Sequence, residues 1–150
     1  MSPAFWVSNF SPDGIAGLGF KNISGLHART LMQNLNESRQ LPLPYFSFKF
    51  STKTGESELI IGDADYAAFR NDTRVSVPVT QEGYWQVVLG AFSRLGHQVG
   101  STNLPTIIDT GTTLILTDEA TANSYFSDIR GAKCGPNGVC TGASLLYVYV

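Results

Sequence analysis

Apolar and polar residues alternate in the stretch YFSFKF, residues 45–50, where a phenylalanine occupies every second position from Phe46. Because successive side chains of a strand point to opposite faces, a period of two predicts a half-buried β-strand. The turn-forming sequence TKTGES follows, and ELIIG, residues 58–62, supplies a second strand-like run. These two runs and the turn between them predict a β-hairpin.

Further strands are predicted by the alternation in RVSVPVT, residues 74–80, and by YWQVVLGAFSRLGHQVG, residues 84–100, which indicates a strand, a turn and another strand. The 15 Gly and 7 Pro of the chain favour frequent turns between short strands. Helical spacing or capping is found in three places: about Leu26 to Leu35, a single turn in residues 63–69, and residues 117–129 behind an N-cap at Thr117 or Asp118. The sequence therefore predicts a mainly β fold with two or three short helices.

The charge balance argues against two classes of partner. Charged residues make up 15 % of the 150 residues and the formal net charge is −2, a near-neutral balance that gives no reason to expect nucleic acid or an anionic membrane as a partner. No apolar run reaches the roughly 18 residues of a membrane span. We expect neither nucleic acid nor a membrane as a partner.

One aspartate interrupts the apolar stretch LPTIIDTGTTLIL, residues 104–116. A carboxylate in such a setting is costly to ionise unless hydrogen-bond donors stabilise it. The hydroxyls of Thr112 and Thr113, and the amides of Gly111 and Thr112, can supply donors in a tight turn after Asp109. We therefore expect Asp109 to be a buried, hydrogen-bonded carboxylate of the kind that acts as a general acid or base. The alternative is an ordinary Asp-Thr-Gly turn that joins two strands.

Four stretches of the chain, in their order, resemble one family. TIIDTGTTLI resembles the second active-site motif of the pepsin-like aspartic endopeptidases, and SPDGIAGLGF resembles the segment near the end of their first lobe. PYFSFKF with GESELIIGDADYAAF resembles the first strands of their second lobe, and VPVTQEGYWQVVL the strands that lead to the motif. The resemblance implies a single partial domain with a pepsin-like β-barrel lobe. Residues from about 1 to 40 would end the first lobe, and residues from about 41 to 150 would form an incomplete second lobe.

The resemblance also implies aspartic endopeptidase chemistry at acid pH. In this family two carboxylates, one from each lobe, share a proton and activate the water that attacks the peptide carbonyl. Asp109 would be the second-lobe catalytic aspartate, and Thr110 would brace the carboxylates across the lobes. Gly111 and Thr112 would contact the substrate backbone and hold Asp109.

The binding residues and partners follow from the same resemblance. Tyr84 and Ile107 would line the pocket just past the scissile bond, although ordinary core packing is an alternative for both, and Trp85 is assigned to the core. The substrate would be a protein or peptide, and neither a metal nor another cofactor is expected. A pepstatin-type inhibitor would bind only where the full two-lobed enzyme exists.

The chain also departs from the family pattern. Asp109–Gly111 is the only Asp-Thr-Gly or Asp-Ser-Gly triplet in the sequence, so the first catalytic aspartate is not found. The tyrosine-bearing hairpin flap that covers the cleft in this family is not found either. Ile15-Ala16-Gly17 resembles the segment that closes the first lobe, whereas its second-lobe counterpart would follow the C-terminus. The apolar tail SLLYVYV likewise indicates a chain that continues. We expect the isolated chain to be inactive. The alternatives are a non-catalytic secreted pseudoprotease or peptide-binding module, and a structural β domain in which Asp109 is only a turn residue.

Several features favour the secretory route. Four sequences match the N-glycosylation pattern, one of them followed by a proline: Asn22-Ile23-Ser24, Asn36-Glu37-Ser38, Asn71-Asp72-Thr73 and, before Pro12, Asn9-Phe10-Ser11. The turn sequence between Cys134 and Cys140 favours a small disulfide loop, with two free thiols as the alternative. The first ten residues lack the basic and apolar segments of a signal peptide. We expect a secreted or vacuolar protein whose signal and propeptide are absent from this chain.

Overall fold

A computed structural model describes residues 14–142 and 147–149 of the chain. The first ten residues with the Asn9 sequence, and residues 143–146 and 150 of the apolar tail, lie outside the described residues. The chain divides between Ala68 and Phe69 into two compact units.

From residue 14 onwards, the N-terminal unit contains two helical and two extended elements: a 3₁₀ turn at Lys21–Ile23, helix α1 at Leu31–Glu37, and strands β1 at Phe46–Lys49 and β2 at Glu58–Ile61. Helix α1 begins later than the predicted Leu26 because a capping box fixes its start. The Gln33 amide donates to Thr30 Oγ1 over 3.2 Å, and the Thr30 amide donates to Gln33 Oε1 over 3.0 Å. His27 has a positive φ of 51°, which is incompatible with a helix starting before it.

The predicted hairpin of residues 45–62 is confirmed. Strands β1 and β2 pair antiparallel, with Phe46 opposite Ile61 and Phe48 opposite Leu59. The alternation places three aromatic rings on one face, where the Phe46 and Phe48 ring centroids lie 5.9 Å apart and those of Phe48 and Phe50 lie 5.8 Å apart. These contacts are the aromatic pairs expected along one face of a pleated strand.

Residues 63–69 form no helix, and the predicted helical turn is reduced to one hydrogen-bonded turn, in which the Ala68 amide donates to the Asp65 carbonyl over 3.0 Å. Two aspartate side chains there bond neighbouring amides instead: Asp63 Oδ1 accepts from the Ala64 amide over 2.8 Å and Asp65 Oδ1 from the Ala67 amide over 3.0 Å. Such local bonds favour turns over helix. Asp65 also accepts from Lys49 Nζ over 3.0 Å. This contact and the Ala67 amide lower the pKa of Asp65.

The C-terminal unit contains most of the strands. Its elements are a 3₁₀ turn at Asn71–Thr73, β3 at Gln86–Leu89, β4 at Ala91–Arg94, β5 at His97–Val99, β6 at Leu104–Ile107, helix α2 at Glu119–Phe126, β7 at Lys133–Cys134, β8 at Cys140–Thr141 and β9 at Tyr147–Tyr149. The strands among the described residues of this unit form three antiparallel sheets, β3–β6, β5–β4–β9 and β7–β8. The predicted mainly β architecture with short helices is confirmed.

The strand predicted in residues 74–80 does not form. The segment is irregular, and Pro78 lacks the amide that a central strand would donate. The strands predicted in residues 84–100 are present, but the stretch divides at Gly90 into β3 and the β4–β5 hairpin.

The core of the C-terminal unit is small. It consists of Leu89, Phe92 and Val99, with Leu104 and Tyr125 packed against it. Leu89 is the most enclosed side chain, with 1 % of its surface exposed. The core therefore joins β3, β4 and β5 to β6 and to one face of α2.

Helix α2 is fixed at its N-terminus by an aspartate cap. Asp118 Oδ1 accepts from the Thr121 amide over 2.8 Å, and Asp118 Oδ2 accepts from Thr121 Oγ1 over 2.7 Å. The prediction of an N-cap at Thr117 or Asp118 is thus confirmed for Asp118. Gly100, at a φ of +70°, allows close approach, because a Cβ there would lie 2.6 Å from Thr121 Oγ1.

Candidate active site

The pairing of β3 with β6 positions the segment that carries Asp109. Leu89 lies opposite Leu104 and Gln86 opposite Ile107 in an antiparallel register. The ladder continues one residue beyond β6, where the Ile108 amide donates to the Trp85 carbonyl over 3.0 Å. Asp109 therefore follows directly after a segment whose backbone is held by β3.

A tight turn begins at Asp109 and uses its carboxylate as the acceptor. The Gly111 amide donates to Oδ1 over 2.8 Å, and Thr112 Oγ1 donates to Oδ2 over 2.6 Å. The Thr112 amide bonds the main-chain carbonyl of Asp109 over 3.4 Å, whereas the sequence predicted a bond to the carboxylate. The structure thus brings Asp109, Gly111 and Thr112 together, each carboxylate oxygen having its own donor.

These donors act on the protonation of Asp109. The Thr112 hydroxyl and the Gly111 amide favour the charged form, so they hold the pKa of Asp109 below its ordinary value of 3.8. The expectation of a buried carboxylate is wrong, since Asp109 is exposed. The arrangement can present an ionised, oriented carboxylate to a molecule approaching from solvent.

Gly111 leaves room beside the carboxylate. A Cβ at this position would lie 3.2 Å from Asp109 Oδ1, closer than most side chains approach an oxygen. Any other residue would crowd the carboxylate, its donors or an incoming ligand.

The other predicted site residues lie on exposed surface. Tyr84 is 52 % exposed and Ile107 is 46 % exposed, so the core-packing alternative does not describe either. Trp85 was assigned to the core, but it is 37 % exposed and the assignment is wrong. Thr110 is exposed and makes no side-chain hydrogen bond within the described part of the chain, and Thr113 does not reach the carboxylate.

A turn before β3 presents Tyr84. The Thr80 amide donates to the Gln86 carbonyl over 2.8 Å, and Gln86 Nε2 donates to Thr80 Oγ1 over 3.0 Å. Gly83 takes a φ of +139° within the turn. Continuing the register of β3 and β6 beyond Gln86 and Ile107 makes position 84 the counterpart of position 109. The turn therefore belongs to the same end of this sheet as Asp109.

A cavity of about 420 Å³ lies in the same unit and was not predicted from the sequence. Its walls come from residues 113–117, from α2 through Tyr125 and Phe126, from Phe92 and from residues 137–140. The signal for it in the sequence is the apolar run Leu114–Leu116 shortly before helix α2, which contributes Tyr125 and Phe126. These three residues are 59 %, 62 % and 77 % exposed.

The predicted cysteine pair and the predicted N-glycosylation asparagines are not part of the turn at Asp109. Cys134 and Cys140 form a disulfide that joins β7 to β8. Asn22, Asn36 and Asn71 are all exposed. Among the described residues, no helix has the length and hydrophobicity needed to cross a bilayer, and no three His, Cys, Asp or Glu side chains are grouped to hold a metal ion.

Comparison with known proteins assigns the chain to a family. The family model described as "Eukaryotic aspartyl protease" matches residues 2–142. An "Aspartic protease" of Phaffia rhodozyma is 33 % identical over 128 residues, which are 83 % of this chain and 31 % of that protein. "Pepsin B" of Canis lupus familiaris is 39 % identical over 114 residues, covering 72 % of this chain and 28 % of that protein. "Gastricsin" of Cavia porcellus is 37 % identical over 107 residues, covering 69 % of this chain and 27 % of that protein.

The chain thus spans less than a third of each of these relatives, and its strands and short helices are consistent with a partial pepsin-like lobe. The chain belongs to the eukaryotic aspartyl protease family.

Proposed function

We propose that Asp109 is one of the two carboxylates of an acid endopeptidase that cleaves proteins or peptides. The observation that carries the proposal is the paired donation to its carboxylate, from the Gly111 amide and the Thr112 hydroxyl, on an exposed turn. Family membership supports the class of reaction. The geometry supports the assignment of the residue.

The lowered pKa suggests which role Asp109 takes in the pair. Since Gly111 and Thr112 stabilise its charged form, Asp109 remains ionised at an acidity where a second, less stabilised carboxyl keeps its proton. Asp109 then accepts a proton from a water molecule, and the water oxygen attacks the peptide carbonyl carbon. The protonated partner donates its proton to the carbonyl oxygen, which gives a neutral diol. Asp109 then passes the proton taken from water to the amide nitrogen as the C–N bond breaks, and a diol hydroxyl returns a proton to the partner carboxylate.

The neighbouring residues would hold the substrate. Gly111 and Thr112 lie beside the carboxylate and would contact the substrate backbone, and Thr110 would brace the two carboxylates against each other. Tyr84 and Ile107 offer exposed apolar surface at the same end of the β3–β6 sheet, which suits the side chain next to the scissile bond. A polar carboxylate beside such apolar surface is typical of ligand sites.

We expect the 150-residue chain alone to lack turnover. It contains one Asp-Thr-Gly triplet, and an ionised carboxylate by itself can accept a proton but cannot also donate one. The second candidate function is peptide binding without cleavage, as in a secreted pseudoprotease. The exposed surface of Tyr84, Ile107 and Ile108 beside Asp109 favours it. For either function we propose a secreted or vacuolar location.

The test uses the native product that contains this sequence, captured from its source, and the 150-residue chain expressed alone. Peptide cleavage at pH 3–5 is measured by mass spectrometry with and without a pepstatin-type inhibitor. We expect the native product to cleave and to be inhibited. In a recombinant form of the same product, Asp109→Asn should lose at least about 100-fold in rate, the lower end of what a positioned acid or base contributes.

A matched control is Asp72→Asn, because Asp72 is an exposed carboxylate that bonds only Arg70 among the described residues. This variant should retain the rate of the parent. Full activity in Asp109→Asn would refute the assignment. If the isolated chain binds peptide and neither the isolated chain nor the native product cleaves it, the binding function is favoured.

A further inference from the structure

The three N-glycosylation sequences within the described residues differ in the backbone that carries them. Asn71 is in a single 3₁₀ turn, Asn71–Thr73, and Asn22 is in another, Lys21–Ile23, whereas Asn36 belongs to helix α1. N-glycans are carried by surface loops of secreted proteins. The local structure therefore separates the three candidates.

The Asn71 sequence has the most open surroundings. Every residue from Arg70 to Glu82 is exposed, and the turn is flanked by extended residues, Arg70 with φ −85° and ψ 132° and Arg74 with φ −74° and ψ 125°. The Thr73 hydroxyl donates to the Arg70 carbonyl over 2.7 Å, which is a bond local to the turn. The Asn71 side chain makes no hydrogen bond within the part of the chain that the structure describes.

The other two sequences are more constrained. The Asn36 carbonyl accepts from the amides of Ser38 and Arg39, so its backbone is part of the C-terminal end of α1. The hydroxyl of Ser38 donates to the Leu35 carbonyl over 3.0 Å. In the Asn22 sequence, the third residue, Ser24, is partly buried.

We propose that Asn71 carries an N-linked glycan and is the most fully occupied of the three sequences. The proposal rests on the secretory location proposed above. A lipid-diphosphate-linked oligosaccharide is the donor. A bond forms between C1 of its first sugar and Asn71 Nδ2, the amide loses one proton, and the lipid diphosphate leaves.

The position gives the glycan a physical effect. Val75, Val77 and Val79 follow within eight residues of Asn71 and are 74 %, 39 % and 36 % exposed. Their alternation is typical of a strand, yet they belong to no strand among the described residues. Unpaired segments of high β-propensity promote association between chains. A bulky hydrophilic glycan beside this segment hinders such pairing, as Pro78 does from within it.

The experiment directs the 150-residue chain into the secretory pathway of a eukaryotic host with a fused leader. The secreted product is treated with a glycan-releasing amidase in water labelled with ¹⁸O, which marks each occupied asparagine as a labelled aspartate. Chymotryptic cleavage after Phe69 and Tyr84 isolates residues 70–84. We expect the largest labelled fraction at position 71 and the smallest at position 36.

Two variants and a control give a second measurement. Asn71→Gln and Thr73→Ala should each remove one glycan-sized step in electrophoretic mobility, while Asn36→Gln should leave the mobility unchanged. An unlabelled Asn71 in the secreted parent chain, or a higher occupancy at Asn36, would overturn the proposal. Because the fused leader imposes the secretory route and occupancy needs no peptide cleavage, a negative result here leaves the protease proposal intact. If the native product does not enter the secretory pathway, both the proposed glycan on Asn71 and the proposed secreted or vacuolar location are refuted.

Discussion

Truncation of Leu89 to alanine tests where the core of the C-terminal unit lies. Leu89 of β3 is 1 % exposed and packs with Phe92 and Val99, which lie on β4 and β5 of another sheet. Leu→Ala changes at buried sites cost about 2–5 kcal/mol, according to how far the surroundings relax into the space. Two of the surrounding side chains, Leu104 and Tyr125, are only partly buried and are free to move inwards. We therefore expect a loss of about 2–3 kcal/mol, towards the lower end of that range.

The assay is urea denaturation followed by circular dichroism. With an m value of about 2 kcal/mol per M, the midpoint should fall by about 1–1.5 M without a change in m. Leu116→Ala is the matched control, because Leu116 is 77 % exposed, and its change should stay within about 0.5 kcal/mol. An equal loss in both variants would refute the reasoning, since it would mean that the wall of the 420 Å³ cavity is as buried in solution as Leu89.

Three further perturbations have expected outcomes. Gly100→Ala should cost about 2–4 kcal/mol in urea unfolding, because it combines a left-handed backbone with a clash against Thr121, whereas Gly131→Ala, at φ +80° with no atom within 4 Å, should cost only about 1–2 kcal/mol. Asp118→Asn should match the parent at pH 7, where both residues cap α2, but its stability should fall less between pH 5 and 2. The lowered pKa of Asp118 means that the unfolded chain binds the proton first, so the stabilisation exists above the ordinary Asp range and disappears as the pH falls through the folded value. Thermal unfolding of both proteins at pH 5 and at pH 2 measures this difference in stability, and equal pH profiles would contradict the prediction. Thr30→Ala should lose about 1 kcal/mol and Thr30→Ser almost nothing, as measured by helical circular dichroism during urea unfolding, because serine retains the capping hydroxyl.

Local sequence signals predicted those elements whose determinants lie within a few residues. The β1–β2 hairpin follows from the alternation in residues 45–50 and the turn after it. The start of α2 follows from Asp118, whose bonds reach only Thr121. Helix α1 starts later than the apolar spacing from Leu26 predicts, although its determinant, the Thr30–Gln33 capping box, is equally local.

Elements that depend on distant partners were predicted less well. Residues 74–80 have a strand-like alternation, but alternation supplies no partner, and Pro78 removes a ladder donor. Trp85 is expected in the core but is 37 % exposed. The structure instead uses its carbonyl, which accepts from the Ile108 amide and aligns the segment before Asp109. No property of the indole side chain reveals such a backbone role.

The candidate site shows the same division between local and distant determinants. Donation to Asp109 was predictable, because Gly111 and Thr112 lie within three residues of it. The exposure of Asp109 was not predictable, because burial depends on which distant residues cover the turn. The distinction bears on the chemistry, since nearby donors lower a carboxyl pKa while desolvation raises it. In this chain the donors prevail over the small effect of burial, and the pKa of Asp109 is lowered. Covering the turn would strengthen the opposing effect, but it would also strengthen both hydrogen bonds in a less polar surrounding. Under the proposed function, a partner carboxyl with fewer donors holds the shared proton, and Asp109 acts as the base.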